Sequence, residues 1–241
     1  MLKIENLTKT YSGGKTAVNE LSLDVESGDL FGFIGHNGAG KTTTIKSIVG
    51  ILPFEFGEIS IDGYSVKKEP LKTKSIIAYI PDNPELYDTL TGMQYLNFIA
   101  DVFGVSKTDR KRRVERYATL FEMTDNLNDQ IASYSHGMKQ KISLIAAFIH
   151  KPKLLILDEP FVGLDPRSSF AVKKVMKEFC AEGNAIFFST HILEVAEKLC
   201  NKIGIIKNGS LIASGDTQTV IGNRSLEEFF LELTEEVEEL L

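Results

Sequence analysis

Cysteine is scarce in this sequence: Cys180 and Cys200 are the only two. Two thiols do not make a disulfide framework, so a packed core must hold the fold. Both read most simply as core or surface thiols of a cytosolic protein. Long apolar runs are missing as well. No stretch approaches the ~20 consecutive apolar residues that a membrane-spanning helix needs. The opening residues, MLKIENLTKTYSGG, scatter polar side chains where a secretion signal would carry its apolar core, which argues against secretion. Nor is there an excess of basic residues: 27 Lys and Arg stand against 33 Asp and Glu, a formal net charge of −6. Seven of those Glu fall in residues 226–241, which hold no Lys or Arg, so the rest of the chain is close to neutral. Broad binding to nucleic acid needs a basic surface, and no nucleic-acid partner is expected. No internal repeat or low-complexity linker is visible.

What is present suits one sizeable domain with a lobe inserted into it: 241 residues, 43% of them hydrophobic. Residues 2–4, 17–23 and 29–34 are apolar-rich, separated by Gly and Ser turns, and read as strands. A helix is predicted over 42–50, a hairpin over 57–66 around Asp62-Gly63, and a strand over 76–80. From about residue 91 to 150 the pattern is helical, with Val114, Tyr117, Leu120 and Phe121 at helical spacing. Beyond Pro152, strands at 154–157, 185–189, 203–207 and 211–214 alternate with helices at 167–181 and 192–199. The whole reads as an α/β core interrupted by a helical lobe.

Three segments carry chemistry. The run Gly35-His36-Asn37-Gly38-Ala39-Gly40-Lys41-Thr42 fits G-x-x-x-x-G-K-[ST]. A strand turning into a helix with its N–H groups aimed at phosphate oxygens leaves no room for side chains, hence the glycines. The helix dipole favours the anion. Lys41 is expected to reach the β- and γ-phosphates, and the Thr42 hydroxyl to bind Mg²⁺. Second, the apolar strand 154–157 ends in Asp158-Glu159, where open α/β sheets place their ligands. Asp158 is the candidate metal carboxylate, and Glu159 the group that polarises water for in-line attack. Third, His191 ends the strand 185–189. A lone His is ordinarily structural, but at the same sheet edge it is placed to bond the γ-phosphate or orient Glu159.

The segment Tyr134-Ser135-His136-Gly137-Met138-Lys139-Gln140 opens a helix ahead of the Asp-Glu strand. It resembles the signature motif of ATP-binding-cassette (ABC) ATPases, whose usual core is Leu-Ser-Gly-Gly-Gln. The other motifs then follow that family's order over roughly residues 1–215. Tyr11 matches the aromatic position that stacks on adenine. Residues 35–42, with Thr43 beside them, match the phosphate loop. Ile80-Pro81-Asp82 matches the γ-phosphate-sensing loop, with Asp82 where the family usually has a Gln that ligates the metal. Gly163-Leu164-Asp165 matches the D-loop and His191 the switch histidine. His136 and Met138 depart from the usual Gly and Gln of the signature.

The resemblance implies a RecA-like P-loop core with an N-terminal antiparallel β part and an inserted α-helical subdomain. The core would span about 1–85 and 152–225, the lobe about 86–151, and an acidic amphipathic helix 226–241. It implies ATP and Mg²⁺ as cofactors, with Lys41, Glu159 and His191 catalytic and Thr42, Asp158 and Asp82 at the metal. Two cassettes, identical or paralogous, would pair head to tail, and Ser135 and Gly137 of one would cap ATP on the other. The pair would drive a transmembrane permease on a separate chain, from the cytoplasmic face of the membrane. The Ser-His-Gly-Met variant resembles exporter-type ATPases. An import ATPase and a regulatory or non-transport ATPase remain the alternatives.

Three further features are ambiguous. Leu86, Tyr87, Leu90, Tyr95 and Phe98 suit either lobe core or a grip on the permease. The run 107–116, with six basic and two acidic residues, suits a solvated helix face or contact with anionic headgroups. Leu226, Phe229, Phe230, Leu233, Val237 and Leu240 form one helical stripe, for packing on the parent domain or on a dimer mate.

Overall fold

Leu30–Ile34 form β3 with all five residues buried. A strand hidden on both faces belongs inside a covered sheet. The computed structural model describes the backbone of residues 1–238 and the side chains of residues 1–233, and it places β3 there. The equally buried β7 (Leu154–Asp158) and β8 (Ala185–Thr190) lie beside it. With β6 (Ile77–Ile80), β9 (Lys202–Lys207) and β10 (Ser210–Asp216) they make a six-stranded sheet ordered β10-β9-β3-β8-β7-β6. It is parallel from β9 to β6, and β10 returns antiparallel after Asn208-Gly209, both at positive φ.

A second, antiparallel sheet, β2-β1-β4-β5, is built from β1 (Leu2–Thr10), β2 (Thr16–Val25), β4 (Phe56–Ile61) and β5 (Tyr64–Ser65). The strand period of two divides β3 between two cores. Phe31 and Phe33 face the antiparallel sheet, with Phe187 5.5 and 5.2 Å from their rings, whereas Leu30 and Ile34 join the larger cluster on the other side. Helix α1 (Lys41–Ile48) follows β3. The short α2 (Pro70–Ile76) was not anticipated; its proline start is favourable, but its polar composition gives no apolar stripe to read.

Between β6 and β7 lie α3 (Gly92–Val102), α4 (Lys107–Leu120) and α5 (His136–Ile149). Thr91 and Gln94 form a capping box that starts α3. The expected stripe on α4 turns inward: Val114, Tyr117 and Phe121 are buried, and Leu120 packs at their edge. Its basic run is only partly a solvated face. Arg110 reaches Asn97 and Asp101, and Arg113 donates to the Ile149 carbonyl at the end of α5. Tyr95 is buried in the same large cluster as Leu30 and Ile34, and Leu86 and Leu90 pack against it, while Tyr87 and Phe98 are exposed, edge to face at 5.6 Å. After β7 come α6 (Pro166–Ala181), α7 (Leu193–Leu199), the unanticipated α8 (Thr217–Ile221) and α9 (Leu226–Glu238). Leu226 and Phe230 are buried against the parent domain, with Phe229 and Leu233 beside them. Leu240 and the Val237 side chain lie outside the described residues.

His150 ends α5 with its ring stacked 3.8 Å from that of Phe103. Burial, reinforced by the Arg113 charge, pushes its pKa from the ordinary 6.5 down to about 4. The unfolded chain therefore binds this proton near pH 6.5 and the folded one only near pH 4, so stability falls as pH drops through that window. Between pH 7 and 4.5 the wild type should lose about 2 kcal/mol more than His150→Phe in denaturant unfolding. Parallel pH profiles for the two proteins would contradict a half-buried histidine held neutral.

Candidate active site

Strand β3 delivers the chain to a turn that leads straight into α1. Gly40 sits at φ +115, and a Cβ there would meet the Ala17 carbonyl oxygen at 2.5 Å. A Cβ on Gly35 would meet the Ile206 carbonyl oxygen at 2.5 Å, while Gly38 (φ +82) faces open space. The loop is thus pressed from behind by β2 and β9 and clear in front. The β9–β10 turn buttresses it: Gly209 N–H donates to the Ala39 carbonyl (2.8 Å), and Asn19 N–H donates to the Gly209 carbonyl (2.8 Å). Helix α1 begins with no side-chain cap and no acidic residue in its first turn. Its leading N–H groups are therefore left for an anion.

Lys41 is buried, and its ammonium donates to the carbonyls of Gly35 (2.6 Å) and His36 (3.2 Å). It lies 3.9 Å from Glu159 Oε1. Burial pushes its pKa down, against the upward pull of Glu159 and Asp158. A desolvated cation held mainly by neutral carbonyls fits an incoming phosphate.

Register brings the carboxylates to the same place. Ile34 is level with Thr190, and Asp158 with Ser189, so β3, β8 and β7 end side by side. Asp158 is buried, accepting from the Thr42 hydroxyl (2.9 Å) through Oδ2 and from the Ser189 hydroxyl through Oδ1. Among the described residues no group of three or more His, Cys, Asp or Glu is poised to hold a metal. One hydroxyl and one carboxylate fit a cation that draws its other ligands from phosphate oxygens and water, as magnesium does.

Glu159 adopts φ +49, a left-handed conformation that costs a non-glycine residue roughly 1–3 kcal/mol. Its N–H is directed at the Ser189 carbonyl (3.3 Å) and hydroxyl (3.2 Å). The bend turns its carboxylate away from the strand, and Oε1 lies 2.9 Å from His191 Nδ1. A carboxylate touching both the loop lysine and a half-exposed imidazole can accept a proton from water.

Around these groups is a cavity of about 290 Å³. Tyr11, His36, Asn37, Gly38, Gly40, Lys41, Thr42, Thr43, Asp82, Asp158 and Glu159 all line it. Tyr11 is half exposed, with its hydroxyl 3.1 Å from Thr43 Oγ1. Asp82 stands exposed on the wall. Lys15 and Ala17 also line the cavity and were missed. The signal for Lys15 was the Gly13-Gly14 turn, which brings it back against Tyr11, where the Tyr11 N–H meets its carbonyl at 2.9 Å. Ser189 carried no signal at all, since its value depends on register.

Ser135 and Gly137 are not in this cavity. Ser135 caps α5 by accepting from the Met138 N–H at 3.3 Å. Gly137 abuts the 163–165 turn; a Cβ there would meet the Gly163 carbonyl oxygen at 2.6 Å. Asp165 at the end of that turn caps α6 through Ser168 and pairs with Lys141 of α5 at 3.3 Å. Those bonds hold its carboxyl well below the usual range. The start of α5 and this turn are therefore packed together.

A glycine-rich loop under a parallel sheet, with a lysine, a hydroxyl and a strand-end Asp-Glu pair, defines a P-loop nucleoside triphosphatase. The particular branch follows from similarity. The family described as ABC transporter matches residues 18–162. The linearmycin resistance ATP-binding protein LnrL of Bacillus subtilis (strain 168) is 38% identical over 97% of this chain and 75% of its own length. The ABC-type transporter ATP-binding protein EcsA of the same organism is 36% identical over 98% and 97%. A solved ATP-binding subunit of an ABC transporter superposes with a TM-score of 0.93, at 36% identity over 97% of this chain and 99% of that one. The chain belongs to the ABC transporter family, as an ATP-binding subunit with ATPase activity.

Gly40→Ala should abolish ATP binding in equilibrium titration, because the new methyl forces the loop off the Ala17 carbonyl and the φ is strained as well. Unaltered affinity would show that the loop does not hold the nucleotide.

Proposed function

We propose that this chain hydrolyses MgATP to power export through a transmembrane subunit on a separate polypeptide. The observation that carries the proposal is the convergence of Lys41, Thr42, Asp158 and Glu159 on one cavity, with His191 bonded to Glu159 from outside its lining. Lys41 and the loop amides bind the phosphates, with Thr43 at the rim and Tyr11 positioned to stack on the base. Thr42 and Asp158 would hold magnesium, with Asp82 on the wall of the same cavity. When bound, that ion neutralises charge building on the phosphates. Glu159 accepts the proton of the attacking water. His191 holds the Glu159 carboxylate in place and senses the γ-phosphate.

Ser135 and Gly137 act on a second copy's nucleotide, or a paralogue's, which accounts for their distance from the cavity of their own chain. Closure on ATP and reopening after hydrolysis form the power stroke. No helix among the described residues is long and apolar enough to cross a membrane, so the transport path is assigned to a partner. EcsA, nearly the same length, is itself named as a transporter's ATP-binding protein. A cleft of about 380 Å³ lined by Ile51, Tyr79, Leu86, Tyr95, Ile99 and Phe103 supplies an apolar seat for the partner's cytoplasmic segment. That docking places the chain on the cytoplasmic face. Outward transport is favoured by the Ser-His-Gly-Met signature and by a relative named for linearmycin resistance.

Glu159→Gln keeps the shape of the side chain and removes its basicity. It should bind ATP as the wild type does, lose about 10²- to 10⁴-fold in turnover, and accumulate as an ATP-bound dimer in gel filtration. Turnover within a few-fold of wild type would remove Glu159 from its role.

A further inference from the structure

His36, Asn37 and Gly38 form the exposed crest of the phosphate loop. Although exposed, the His36 ring has a partner within the chain. It packs edge to face with the Phe230 ring on α9, centroids 4.8 Å apart at 66°. Phe230 is 5% exposed and sits in one cluster with Ala196, Leu199, Ile221 and Leu226.

Helix α9 is a firm support for such a contact. Ser225 and Glu228 close a capping box at its start, at 2.8 and 3.1 Å. The Leu226 N–H donates to Glu197 on α7 at 2.8 Å, and Arg224 pairs with Glu232 while lying over the Phe229 ring. The other end of the contact is equally specific. The His36 carbonyl accepts from the Ala39 N–H (3.1 Å) and from the Lys41 ammonium (3.2 Å). One residue thus links the α9 ring to the cation that meets phosphate.

We propose that Phe230 is a positioning residue for nucleotide binding. It braces His36, so that the loop stands formed before ATP arrives and α9 sets the affinity of the site. The inference rests on the reading that residues 35–42 bind phosphate. The physical cause is pre-organisation: a glycine-rich loop has much conformational freedom to lose on binding, and a fixed contact removes part of that cost beforehand.

The test is a double-mutant cycle on the purified full-length chain, read as the Kd for a fluorescent N-methylanthraniloyl-ATP. Phe230→Leu preserves an apolar core side chain but loses the ring. Phe230→Leu and His36→Ala should each weaken binding by about 2- to 10-fold, and the double variant should bind no worse than the weaker single. Leu226→Val, buried on the same helix one turn before Phe230 but with no ring to set against His36, should lower Tm and leave Kd unchanged. The proposal is overturned if Phe230→Leu binds like wild type, if the two losses multiply, or if Leu226→Val weakens binding as much as Phe230→Leu. A wild-type chain that binds no nucleotide would instead defeat the phosphate-loop assignment, and the brace with it.

Discussion

The site depends on the register of three parallel strands. β3, β8 and β7 lie side by side, with Ile34 level with Thr190 and Asp158 with Ser189. The residues at the end of each strand therefore emerge together: the glycine-rich loop, His191 and the Asp158-Glu159 pair. Shifting one strand by a residue would turn Asp158 away from Thr42 and move Ser189 out of reach. The fully buried strands, Leu154–Asp158 and Ala185–Thr190 among them, make such a slip costly because both faces are packed. Hydrophobic burial in the sheet is thus what fixes the distances of the polar site.

Those distances concentrate charge in a place that disfavours it. Lys41 and Asp158 are buried, and each is compensated by hydrogen bonds from within the protein. Lys41 leans on the Gly35 and His36 carbonyls, and Asp158 on two hydroxyls. The arrangement is tolerable without nucleotide and better with it, since phosphate supplies the counter-charge that carbonyls cannot. The left-handed Glu159 adds local strain held by the Ser189 contacts. A site of this kind binds its ligand by completing interactions already half made.

Much of this was legible in the sequence because the signals are local. The phosphate loop occupies eight consecutive residues whose spacing has a steric cause. The strand ending in Asp158-Glu159 announces itself by four apolar residues in a row. The order of elements and the antiparallel N-terminal part followed from the same patterns and from the family resemblance. Features that depend on tertiary contact were not readable. Ser189 is an ordinary strand residue until register sets it against Asp158, and α2 carries too little apolar surface to reveal itself. Phe230 is one member of a helical stripe until its ring meets His36, about two hundred residues earlier in the chain. The run 107–116 shows the converse: a pattern that looks solvated, yet uses Arg110 and Arg113 to tie the lobe together.

The central claim is that ATP chemistry here drives a membrane partner. Its most direct test is affinity purification of the tagged chain from detergent-solubilised membranes of its host, with mass spectrometry of what accompanies it. The account predicts a polytopic membrane protein in near-equal amount, released when the apolar cleft is disrupted by Leu86→Arg, a wall residue set apart from the phosphate loop. Recovery with ribosomal or DNA-bound proteins alone, and no chain in the membrane fraction, would contradict the transport function while leaving the ATPase assignment intact.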